Sequence, residues 1–149
     1  MMGKSKLLAA ALLLLSTAPV AMAQTVIATA DGETGGTRIE ITQLARSSGE
    51  TATLKFRLVN DSSENASPSE LMETSDLRNV HLIDATGKKK YLVLKDSEGK
   101  CVCSGGLSST LEPGKSINLW ARFPAPPPAV KEVSVIFPHF MPTDAPITD

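Results

Sequence analysis

The feature that most constrains this chain is a two-residue alternation carried by two neighbouring segments. In Thr37 to Leu44, Ile39 and Ile41 fall on one side, with Arg38, Glu40 and Thr42 on the other. In Thr51 to Val59, Leu54, Phe56 and Leu58 oppose Lys55 and Arg57. Successive side chains of an extended strand point to opposite faces, so each segment turns an apolar row inward and a charged row toward water. Ser47-Ser48-Gly49-Glu50 between them has turn chemistry, and the pair predicts an antiparallel hairpin with one wet face.

The rest of the chain follows the same grammar. Thr25 to Thr29 is β-branched, and Asp31 to Gly36 is a loop by composition, so residues 24–36 read as an N-terminal strand and loop. Asn60 to Asn79 is a polar connection, with a helical turn expected at Ser69 to Thr74 after Pro68. Val80 to Ile83 and Tyr91 to Leu94 pair across Asp84-Ala85-Thr86-Gly87-Lys88. Glu112-Pro113-Gly114-Lys115 puts Pro and Gly at the centre of a type II turn. Ile117 to Phe123 sets Ile117, Leu119, Ala121 and Phe123 against Asn118, Trp120 and Arg122. The Pro-rich link Pro124 to Pro128 offers few ladder donors and belongs outside the sheet. Val130 to Phe137 turns Val133, Val135 and Phe137 to one side. The prediction is all-β: an antiparallel β-sandwich of about seven or eight strands over residues 37–140, followed by a Pro-rich tail over 141–149.

The N-terminus reads as an export signal over residues 1–23. Lys4 and Lys6 precede the unbroken apolar run Leu7 to Leu15, and Ala21-Met22-Ala23 offers small residues for cleavage between Ala23 and Gln24. Spanning a bilayer takes about 20 apolar residues, and this run falls short of that. No twin Arg precedes it, and Gln24 rather than Cys at the junction argues against a lipid anchor. The expected product is a periplasmic or secreted domain with no stable membrane insertion.

Charge and composition narrow the partners. The full chain has 15 basic and 16 acidic side chains, and losing Lys4 and Lys6 leaves 13 against 16. No basic footprint for nucleic acid is evident, and six aromatics in the chain make a base-stacking platform a poor fit. Asn60-Asp61-Ser62 and Asn65-Ala66-Ser67 match the glycosylation sequon, which matters only in a eukaryotic secretory route.

Several turn and strand motifs carry a resemblance. They are Asn60-Asp61-Ser62-Ser63 after an apolar strand, Leu82-Ile83-Asp84-Ala85-Thr86-Gly87-Lys88-Lys89-Lys90-Tyr91, Leu111-Glu112-Pro113-Gly114-Lys115, and Ala121-Arg122-Phe123-Pro124. Together they resemble the immunoglobulin-like domains of exported bacterial proteins. Lys90 to Ser104, with Pro138-His139-Phe140, is more closely similar to domains that precede peptidoglycan-binding modules of the outer-membrane-protein-A type. The resemblance covers roughly Ile39 to Ile147 and implies a sandwich fold in the cell envelope. No such module follows in this sequence, so peptidoglycan binding is not implied.

The sharpest local feature is Cys101-Val102-Cys103. Residues i and i+2 of a strand share a face at about 6.6 Å, near the upper limit for a bridge, and Gly99, Gly105 and Gly106 nearby allow a kink. Export favours a disulfide. Three states are open: a local staple, a redox or soft-metal site, and free or intermolecular thiols. A copper set would combine Cys101 and Cys103 with His139 and Met141, with Met72 or His81 as further donors. Against it, Pro138 and Pro142 bracket His139 as they would a surface turn, and His81 reads as a solvent-facing strand residue.

Enzymatic readings have less support. Ser104 before Gly105-Gly106 lacks a nucleophile-elbow context, and the carboxylates are scattered singly. Lys88-Lys89-Lys90 reads as a solvated hairpin tip. Trp120 lies opposite the apolar row of its strand, so it either packs at the rim of the second sheet, the favoured reading, or stands exposed as a partner contact. The sequence therefore predicts a non-catalytic envelope module whose partner is a protein or a glycan, with copper or thiol-redox handling as the alternative.

Overall fold

A computed structural model describes residues 16–48 and 50–149. The apolar run of the predicted export signal, Leu7 to Leu15, lies outside the described residues. Ser16 to Ala23 is exposed and has no regular secondary structure, so the Ala23–Gln24 bond lies in open chain.

The chain is an all-β sandwich of two four-stranded antiparallel sheets. The first sheet joins β1 (Ala28–Asp31), β2 (Thr37–Ser47), β3 (Thr51–Asn60) and β6 (Ser116–Pro124), in the order β1-β2-β3-β6. The second joins β4 (His81–Asp84), β5 (Lys89–Leu92), β7 (Glu132–Ile136) and β8 (Thr143–Pro146), in the order β5-β4-β7-β8. One helical turn, α1 (Pro68–Leu71), interrupts the crossing between the sheets; Ser67 caps it by accepting from the Glu70 N–H.

The predicted hairpin is the frame of the first sheet. Ile39 faces Leu58 and Ile41 faces Phe56, all four fully or almost fully buried. A bulge then shifts the register between Ile41 and Gln43, so Leu44 rather than Gln43 is the next inward residue, opposite Leu54. Phe56 meets Phe137 of the far sheet edge-on, with ring centroids 4.8 Å apart. Each such ring stabilises by about 1.5–3 kcal/mol on leaving water.

The Glu112–Lys115 turn forms as expected. Gly114 has φ +73°, which a side chain would strain, and the Lys115 N–H donates to the Glu112 carbonyl at 3.1 Å. Asn60 ties this turn to the connection after β3. Its buried amide donates to the Glu64 and Leu111 carbonyls at 2.7 and 2.8 Å, and its Oδ1 accepts from Ser62. The sequon at Asn60 is thus a structural element, with its side chain enclosed.

Two boundaries differ from expectation. The N-terminal strand is part of the sandwich: β1 forms from Ala28, pairing Ala30 with Ile39. The Pro-rich segment read as a tail supplies β8, with Val133 opposite Ala145 and both Ala145 and Ile147 buried. Pro142 and Pro146 fit there because β8 lies at an edge of its sheet, where an N–H is dispensable. Arg46 holds the Pro124–Pro128 link by donating to the carbonyls of Pro126, Pro127 and Val130, and pairs with Asp149 at 2.9 Å.

Candidate functional site

Strand alternation makes the outer face of the first sheet the broadest functional surface. On β3 the outward residues are Thr53, Lys55 and Arg57; on β6 they are Asn118, Trp120 and Arg122. The register sets Arg57 beside Asn118, Lys55 beside Trp120 and Thr53 beside Arg122. Trp120 is 40 % exposed, so the favoured expectation of rim packing is corrected: its strand neighbours Leu119 and Ala121 take the inward places. A shallow cleft at Trp120 is lined by Gln24, Thr42, Lys55 and Asn118. The residue predicted to begin the exported chain therefore lies beside the indole.

Charge on this face is unevenly balanced. Glu40, almost buried, receives Arg57 Nε at 2.8 Å and Arg38 Nη2 at 2.8 Å, and Arg38 also pairs with Asp61. Hydrogen bonds from Arg57 and then Arg38 hold the Glu40 carboxyl below the usual carboxylate range, against the desolvation that would raise it. Lys55 and Arg122 make no ion pair among the described residues. The face thus sets four cations, Arg38, Lys55, Arg57 and Arg122, against three carboxylates, Asp31, Glu40 and Asp61, in a chain that is acidic overall.

The cysteine pair lies at the free edge of β6. Cys103 bridges to Ala121, Cys101 bridges to Lys95, and the Asp96–Gly99 turn between β5 and Cys101 is closed by Asp96 accepting from the Glu98 and Lys100 N–H groups. The two sulfurs lie at disulfide distance with Cα atoms 5.3 Å apart, shorter than an ideal strand spacing, so the local chain is kinked as the flanking glycines allow. Asp76 reaches the same place because it bridges to Gly105. Its carboxylate and the two sulfurs fall within 4.8 Å of one another, all partly buried. Hydrogen bonds from Arg78 lower the Asp76 pKa to about 2 despite its burial.

Other sequence candidates are placed elsewhere. His139 adopts φ +62°, and its Nε2 pairs with Glu73 at 3.2 Å rather than joining the sulfurs. Met141 is 55 % exposed and follows the bridge that ties Phe140 to Gly32. His81 is half-buried, with Nδ1 3.3 Å from the Asn79 carbonyl, and burial lowers its pKa. The Ser104 hydroxyl accepts from the Trp120 N–H at 2.9 Å, a structural use of that oxygen. Lys88, Lys89 and Lys90 are all exposed at the β4–β5 turn, where Lys89 lies 5.6 Å from the Tyr91 ring centre. Asp76 was missed by sequence reasoning; its only signal was the position in the polar connection, 25 residues before Cys101.

No family model, curated protein or solved structure matches this chain. Among the described residues, no helix is long and apolar enough to cross a membrane.

Proposed function

We propose that this chain is an exported, non-catalytic immunoglobulin-like module that binds a partner in the cell envelope through the outer face of its β1-β2-β3-β6 sheet. The observation that carries the reading is Trp120, 40 % exposed and flanked by Lys55, which has no ion-pair partner among the described residues. An indole standing on a flat sheet supplies a stacking surface, and the cations beside it supply charge. The partner class that matches both is an anionic glycan: a sugar ring lies on Trp120 while its carboxylates or phosphates meet Lys55 and Arg122. Arg38, Glu40 and Arg57 form a rigid charged floor at one side of that surface.

Calorimetric titration of the protein with acidic and neutral envelope glycan fractions tests this. The acidic fraction binds, with affinity falling as salt rises because the contacts are exposed. Trp120→Ala weakens it by at least about tenfold, and Lys55→Gln with Arg122→Gln removes most of the salt dependence. Equal binding of both fractions by wild type and Trp120→Ala would contradict the proposal.

A further inference from the structure

The edge beyond β6 holds an arrangement that the binding face does not use. Cys101, Cys103 and Asp76 come from two separate segments, yet three backbone bridges, Lys95 to Cys101, Cys103 to Ala121 and Asp76 to Gly105, bring their donor atoms within 4.8 Å. A further bond, from the Leu107 N–H to the Ser75 carbonyl at 2.9 Å, ties the segments together. We propose that reduction of the Cys101–Cys103 pair by a dithiol opens a zinc site formed by Cys101, Cys103 and Asp76, with a fourth position left to water.

The donor set decides the metal. Two thiolates alone suit copper(I) or zinc, whereas a hard carboxylate as third donor favours zinc, which accepts sulfur and oxygen in one tetrahedron. His139 is held by Glu73 and is not one of the converging donors. The Asp76 carboxylate is held in place by its own hydrogen bonds. The Arg78 main-chain N–H and Thr74 Oγ1 hold Oδ1 at 3.0 and 3.2 Å, while Arg78 Nη2 holds Oδ2 at 2.7 Å. Arg78 is exposed, so its side chain can yield Oδ2 to the ion while its main chain keeps Oδ1. The remaining guanidinium charge offsets the net negative charge of two thiolates, one carboxylate and Zn²⁺.

The redox step balances in two stages. One thiolate of the dithiol attacks a protein sulfur and forms a mixed disulfide; its second thiol closes the ring and leaves as the cyclic disulfide. Two electrons and two protons pass to Cys101 and Cys103. Zinc then displaces those two protons, so metal binding requires the reduced pair and responds to pH.

The test is a titration of the protein with cobalt(II) and then zinc, before and after dithiol reduction and removal of the reagent. The reduced protein gives a thiolate-to-cobalt absorption band, bleached by one equivalent of zinc, with two protons released per zinc; the oxidised protein gives neither. Asp76→Asn weakens zinc binding by at least about tenfold but leaves the two-proton release and an unchanged circular-dichroism spectrum. His139→Ala binds as wild type does. Equal zinc affinity in oxidised and reduced protein, or Asp76→Asn within twofold of wild type, overturns the site, as does loss of binding in His139→Ala.

Discussion

The outer face around Trp120 and the cysteine edge meet along a single strand, yet they are built in opposite ways. The face rests on continuous ladders: β3 pairs with β6 from Thr51–Pro124 to Val59–Ser116, and every second residue turns outward. The edge is a set of isolated bridges, in which Cys101, Cys103 and Asp76 are each tied to a different stretch of chain. A ladder over a buried core fixes side chains by packing, whereas isolated bridges fix them by a few hydrogen bonds at the rim. The first suits a permanent binding surface; the second suits a place where bonding changes.

The contrast breaks first if the core beneath the ladder is emptied. Phe56→Ala removes the ring that joins the two sheets through Phe137 and costs about 4 kcal/mol, read as the midpoint shift in chemical unfolding. A loss under 1 kcal/mol would show that the ladder does not depend on that packing.

The next largest effect lies on the face itself. Glu40→Gln leaves Arg38 and Arg57 without their shared carboxylate and costs about 2 kcal/mol near neutral pH. The sign with pH follows from the depressed Glu40 pKa. Its contribution is present above the ordinary carboxylate range and fades as pH falls through that range toward the lower folded value. The stability gap between wild type and Glu40→Gln therefore narrows on acidification from pH about 5; a gap independent of pH would rule out the ion-pair account.

At the edge the effects on stability are smaller. Cys101→Ser with Cys103→Ser closes no long loop and costs less than about 1 kcal/mol. In hydrogen exchange, the Val102 and Ser104 amides open locally, ahead of those in the middle of β3. Exchange of both groups only with global unfolding would erase the distinction between edge and ladder. Smallest of all, Trp120→Ala changes stability by within about 0.5 kcal/mol, because the indole stands on the outer face and takes no part in the core between the sheets.

The two regions also differ in how far their sequence reveals them. Lys55, Arg57, Trp120 and Arg122 could be assigned to one outward row because their strands alternate with period two. What the alternation hid was the bulge after Ile41, which carries no Gly to announce it, and the exposure of Trp120, which size alone argued against. β8 was obscured by Pro142 and Pro146, residues that read as loop unless an edge position is known. Asp76 was legible only as one polar residue of a long connection. Its approach to the cysteines depends on a long-range bridge to Gly105, and nothing local to Thr74–Arg78 encodes that meeting. The polar groups of the face follow from local geometry; those of the edge follow from tertiary closure.

The central claim, that the Trp120 face is a binding surface for an anionic glycan, has a built-in reporter. Trp120 is the only tryptophan in the chain, so indole emission comes from this face alone. Titration with an acidic envelope glycan at low ionic strength is expected to shift and change that emission saturably, and raising the salt reverses it. Emission unaltered across the titration, while the same glycan is seen to bind by calorimetry, would place the binding surface elsewhere and contradict the account.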